Sequence, residues 1–179
     1  MITSNYKTYV YVRSGRTSAE YIKDCEGGNC RSNAYGYSGN GTNMADHAYI
    51  LRQGFKITTS LVASGGTAGV YFGTGSTPPT EDDYTLEAPI RSGLSSVRTT
   101  IAECVDRSYI ERASILKNTT DADITIREIG FFGITVADSN SGSTNWLFLV
   151  DRTVLDEPIT IPAGEVRTIT VRVENTFFG

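Results

Sequence analysis

The sequence predicts an all-β protein: an antiparallel β-sandwich, jelly-roll or immunoglobulin-like, of about eight strands with an irregular N-terminal arm. Three observations predict it. The last third reads as consecutive strand-like runs at residues 123–133, 145–154, 158–165 and 166–175, each bounded by turn residues. Gly at 18 and Tyr at 10, against one Trp and one His, suit short strands joined by tight turns. The final run alternates, with Ile169, Val171 and Val173 on one parity and Thr168, Thr170 and Arg172 on the other, as in a strand with one wet face.

The elements follow in order. Residues 7–13 are dense in β-branched and aromatic residues and read as a strand ended by Ser14-Gly15. Residues 18–23 read as a short helical turn. From Glu26 to Asn43, Gly, Asn, Ser and Tyr dominate, and so long an irregular stretch reads as a loop or arm that is either mobile or laid on a neighbouring subunit, Tyr35 and Tyr37 being the anchors in the second case. Residues 44–52 read as one or two helical turns. Strands are expected at 55–62 and 68–73 around a turn at 64–67. A long loop follows at 74–84, held extended by Pro78-Pro79. Residues 96–106 and 109–118 form an antiparallel pair, 118–122 a turn, and 162–165 the turn between the last two strands. The division is thus 1–50, a strand plus arm, and 51–179, the sandwich.

Two positions in the last third stand out. Both parities are apolar in Trp146-Leu147-Phe148-Leu149-Val150, so that strand is central or has its outer face against another subunit. Glu128 shares parity with Ile124 and Ile126, which aims it at the core, where it would need a partner such as the neighbours of Arg127 or Arg152. The expectation adopted is that a bulge at Gly130 turns Glu128 to solvent.

A chain of 179 residues suits one domain, or one domain with an appendage, and buries roughly 70% of its unfolded surface. The net charge of −4, without any Lys/Arg run, weighs against a nucleic-acid partner. No stretch approaches a membrane span, and residues 1–7 lack the basic and apolar regions of a secretory signal. The expectation is a protein made in a cytoplasm, with no membrane partner.

The inventory of chemistry is thin. Three cysteines, Cys25, Cys30 and Cys104, argue against a disulfide framework; free thiols are expected, ahead of a local Cys25–Cys30 bond or a metal site completed by Cys104 and His47. A Ser/His/Asp or Cys/His arrangement would have to use His47, and no nucleophile elbow accompanies it. The paired carboxylates Asp82-Asp83, Asp121/Asp123 and Asp156-Glu157 read as turn caps, and none forms a full calcium loop. Gly73-Thr74-Gly75 lacks the Lys and helix start of a phosphate loop. Asn40 and Asn118 head glycosylation triplets, which carry little without an export signal. No catalytic residue, cofactor or metal ligand is assigned, and the chain reads as no enzyme.

One pattern goes further. Gly73-Thr74-Gly75-Ser76-Thr77-Pro78-Pro79, Asp82-Asp83 and Leu86-Glu87 form its first half. Arg127-Glu128-Ile129-Gly130-Phe131-Phe132, Leu149, Arg152-Thr153-Val154 and residues 158–164 form its second. In this order the pieces resemble small β-sandwich virion proteins of tailed phages and prophages, of tail, baseplate or capsid-decorating type. The resemblance covers residues 50–175. It implies a structural virion protein that assembles as a homo-oligomer in the tail or baseplate and contacts other virion proteins, with Tyr35, Tyr37, Phe131, Phe132, Trp146 and Phe148 as interface candidates. Two alternatives stand beside it: a decoration protein on the phage head, and a host-glycan-binding module using Tyr35, Tyr37 and Trp146.

Overall fold

The computed structural model describes residues 1–4, 7, 21–23, 25–27, 29–31, 43–44, 56–57, 68–103, 109–139 and 142–174. Its elements are strands: β1 (Tyr21–Lys23), β2 (Asn29–Arg31), β3 (Asn43–Met44), β4 (Lys56–Ile57), β5 (Gly69–Gly73), β6 (Leu94–Glu103), β7 (Tyr109–Asn118), β8 (Ile124–Ser139), β9 (Gly142–Ile161) and β10 (Val166–Glu174). One sheet has the order β10-β7-β6. The larger runs β3-β8-β5-β4, with β9 along the other side of β8. Pairing is antiparallel throughout except between the short β4 and β5. The long β8–β9 hairpin is the spine, and its density of Ile, Val, Phe and Thr suits a pleated surface covered on both sides.

The two sheets face each other across the main core. Leu94, Leu116 and Ile169 come from the smaller sheet, and Val70, Phe72, Phe131 and Phe148 are among those from the larger. Asn118, fully buried, secures one end. Its amide donates to the carbonyls of Ala122 (2.7 Å) and Ile161 (3.0 Å), and its side-chain oxygen accepts from the N–H and hydroxyl of Thr120. The 162–165 turn closes there as expected, Glu165 N–H donating to Pro162 O and Gly164 taking φ 71°.

The other face of the large sheet carries a second, smaller cluster of Cys25, Ala68, Tyr71, Leu86, Phe132, Leu147 and Leu149. Tyr71 and Phe132 meet edge to face at 5.2 Å. Phe131 and Phe132 therefore serve opposite faces. So do the neighbours in residues 147–150: Leu147 and Leu149 face one cluster, Phe148 and Val150 the other. Both faces of that strand are covered by this chain's own residues.

The cover of the second face is a strap, residues 74–88. It leaves β5 after Gly73 and returns antiparallel to it, with Thr74 N–H donating to Ala88 O and Ile90 N–H to Phe72 O. Leu86 is its buried anchor. Its rim is held by Ser4 N–H on Glu81 O (2.8 Å) and by a Lys7–Glu81 ion pair (2.7 Å). Lys23 lies 5.5 Å from the Tyr84 ring centre.

The described pieces of residues 1–50 dock onto this body. Ile2 bridges Asp151, Thr3 N–H donates to Val150 O, and Cys25 N–H donates to Leu147 O, along the side of β9 away from β8. The helical turn expected at 18–23 is not what forms: Tyr21–Lys23 is a strand paired with Asn29–Arg31 across a turn where Gly27 has φ 86°. Nor is 26–43 irregular throughout, since Asn29–Arg31 is strand and Asn43 starts β3, which pairs with β8 and also takes in Met44 from the expected second helical stretch. Of the expected strand at 55–62, Lys56–Ile57 is described, pairing with β5. Lys7, the first residue of the strand expected at 7–13, is helical instead, its N–H donating to Thr3 O (3.2 Å), while residues 8–13, Tyr35, Tyr37, His47, Cys104 and the turn at 64–67 lie outside the described residues.

Candidate functional site

The second face holds an ion cluster built on a buried Glu128–Arg152 pair with the more exposed Asp83 and Glu87 at its edge, and its central acid is placed by a break in strand register. β8 pairs with β9 at Ile126↔Ile159 and next at Glu128↔Val154, leaving Arg127 as an extra residue on β8 and 155–158 as an excursion of β9. The break exchanges the faces. Ile126 before it and Ile129 and Phe131 after it all meet the main core, so Glu128 falls on the opposite side, with Tyr71 and Phe132. The solvent-facing Glu128 expected from sequence is thus overturned. A bulge exists, but at Arg127 instead of Gly130, and it turns the carboxylate under the strap, where Glu128 is 0% exposed.

Under the strap Glu128 is surrounded by donors. Its Oε1 accepts from Gly75 N–H (3.1 Å) and Ala88 N–H (2.8 Å), and its Oε2 accepts from Glu87 N–H (3.1 Å) and Arg152 Nε–H (2.7 Å). The glycines beneath it are a steric requirement. A Cβ at Gly75 would stand 2.6 Å from both Glu128 Oε1 and Glu87 Cβ, and one at Gly73 would collide with Glu128 itself.

Arg152, on β9 and 2% exposed, is the hub. Its Nε holds Glu128, its Nη1 holds Asp83 (2.9 Å) and its Nη2 holds Glu87 (3.3 Å). One planar guanidinium thus spans three carboxylates, which a lysine ammonium could not do in one plane. Each outer acid is also tied within the strap. Asp83 accepts from Thr80 N–H and hydroxyl, and Glu87 accepts from Thr77 N–H (2.8 Å) and hydroxyl (2.6 Å). Burial works against the charge on Asp83, but the Thr80 N–H and the Arg152 guanidinium outweigh it and hold its pKa below the ordinary value. The Thr77 hydroxyl and N–H lower that of Glu87. For Arg152, burial is outweighed by Asp83 and Glu128, so its pKa is raised and its charge secured.

Chemically, this cluster is committed. All six carboxylate oxygens have donors, and the guanidinium has acceptors on three nitrogens. Beside it Arg152, Asp82, Asp83, Tyr84 and Glu87 line an open pocket of about 370 Å³. Thr85 also lines that pocket, and its Oγ1 is buried without a hydrogen-bond partner among the described residues. Among the described residues no group of His, Cys, Asp and Glu is placed to hold a metal ion.

The residues singled out from sequence fall as follows. Phe131, Phe132 and Phe148 are buried in the two clusters, so their side chains are core packing of this chain and present no surface to a partner. Trp146 lies in β9 opposite Thr135; its side chain, like Tyr35 and Tyr37 entirely, is outside what is described. Cys25 is a buried thiol, not a disulfide, and Cys30 lies in β2 opposite Ile22. Asn118 is buried, so its amide nitrogen is an interior donor. Asp83 caps Thr80 and Asp123 accepts from Ala163 N–H, both as turn caps should, whereas Asp156-Glu157 lie in the β9 excursion and not in a turn. The grouping of Asp83 and Glu87 around Arg152 was not read from sequence; the signal available was an Asp and a Glu spaced by four in a loop, and a single arginine in the strand run 145–154.

No family model, curated protein or solved structure matches this chain.

Proposed function

We propose that this chain is a non-enzymatic structural protein of a tailed-phage particle, assembled in the host cytoplasm and working as a homo-oligomer in the tail or baseplate region, where it contacts other virion proteins. One observation carries the reading. The separate pieces of the virion-like sequence pattern converge on a single lock: Gly75 and Glu87 from its first half donate to Glu128, Asp83 and Glu87 pair with Arg152, and Glu128 and Arg152 come from its second half. A pattern whose conspicuous residues are used up in holding a loop is the pattern of a scaffold, and a scaffold suits a particle component better than a catalyst.

In this reading the sandwich has the immunoglobulin-like or jelly-roll character expected from sequence, and the stretch around Tyr35 and Tyr37 embraces a neighbouring subunit. β6 and β10, the outer strands of the smaller sheet among the described residues, are the edges a neighbour's strand would extend. Immunogold labelling of purified particles, with antibody against residues 50–179, tests the proposal. Gold along the tail or at its tip is the expected result. Gold over the head moves the protein to capsid decoration. Particles without gold overturn the virion reading and put host-glycan binding first.

A further inference from the structure

The two faces of the large sheet are closed by different forces, and the difference has a consequence under acid. Among the described residues, the main core is apolar apart from the neutral Ser114 and Asn118, and the buried ionisable side chains, Glu128 and Arg152, lie on the other face. The strap is closed over the second face by Glu128 from β8, Arg152 from β9, and its own Asp83 and Glu87. We propose that residues 74–88 form an acid-released cover: protonation of the lock detaches the strap as a unit while the sandwich behind it stays folded.

The chemistry of the lock supports this. Everything that touches the three carboxylates is a donor: five backbone N–H groups, two threonine hydroxyls and the guanidinium. The backbone groups and the guanidinium cannot accept, and only the hydroxyls of Thr77 and Thr80 can turn to take a new proton, so protonating Asp83 or Glu87 weakens the remaining donors' hold and removes one of the charges that hold Arg152. Arg152 cannot respond by losing its own proton, so each protonation leaves it more nearly a lone buried cation. The other charged groups around the strap stand at its rim: Glu81 with Lys7, exposed Asp82, and Lys23 over Tyr84.

The sign is set by the lowered pKa values of Asp83 and Glu87. A carboxyl whose folded pKa is depressed contributes stability that is whole above its unfolded value, about 4, and is lost as pH falls through the folded value. Release therefore begins below about pH 4. It uncovers Tyr71, Phe132, Leu147 and Leu149 as one apolar surface, because Leu86 departs with the strap.

Hydrogen exchange of the full chain from pH 7 to 2.5, corrected for the intrinsic pH dependence of exchange, tests this. Peptides within 74–88 should lose at least about tenfold in protection between pH 5 and pH 3, while β7, at the main core, changes less than about twofold. An environment-sensitive apolar dye should brighten over the same range. Asp83→Asn should lower strap protection already at pH 7 and flatten its pH dependence. Strap and β7 losing protection together would overturn the proposal, as would a strap protected down to pH 2.5. The wild-type profile decides alone, so a variant that fails to fold leaves the test intact.

Discussion

The main core and the strapped face lie back to back on one sheet and reach burial by opposite routes. On the first, Val70, Phe131, Phe148 and Leu116 exclude water by apolar area, a force that is non-directional and tolerant of shape. On the second, a smaller cluster is sealed by a loop whose grip is one guanidinium and three carboxylates, where each distance and partner matters. A loop has no second sheet's worth of apolar surface to offer. Directional hydrogen bonds to its backbone N–H groups are what position it, and the buried Glu128 supplies the acceptor for three of them.

Substitutions should separate the two routes. The largest effect is expected from Arg152→Met, which leaves Glu128 buried beside two more carboxylates; it should cost about 3–5 kcal/mol in urea unfolding and free the strap to proteolysis. Leu116→Ala should cost about 2–5 kcal/mol through a cavity in the main core, with strap protection falling only as far as global stability does. Gly75→Ala should cost roughly 1–3 kcal/mol, because the new methyl pushes on Glu128 and Glu87 at the lock. Its effect should appear in exchange of residues 74–88 before it appears in β7.

The contrast also explains what could be read in advance. Strand periodicity is a local property, so the all-β class, the β6–β7 pair and the wet face of β10 are legible from alternation: Thr168, Thr170 and Arg172 are exposed while Ile169 is buried. The doubly apolar run 147–150 announces a strand covered on both sides, though not what covers it. The lock was half legible. Glu128 and Arg152 suggest each other as partners, but the face on which they meet depends on the register break at Arg127, marked only on the partner strand by Pro158 in the 155–158 excursion. The strap's return over the sheet is a long-range event, and Asp83 seen alone is a turn cap. The short β1–β2 hairpin was missed for a related reason: three-residue strands carry too little periodicity to compete with a helical reading of 18–23.

The account rests on Glu128 and Arg152 acting as one unit that holds the strap. A double-mutant cycle on stability measures this directly, with Arg152→Met, Glu128→Leu and the pair together. Each single change strands a buried charge or its donors, whereas the double change removes the ion pair as a whole, so its cost should fall short of the sum of the singles by roughly 2 kcal/mol or more. Costs that add within about 0.5 kcal/mol would mean that the two residues stabilise the fold independently, and would contradict the lock.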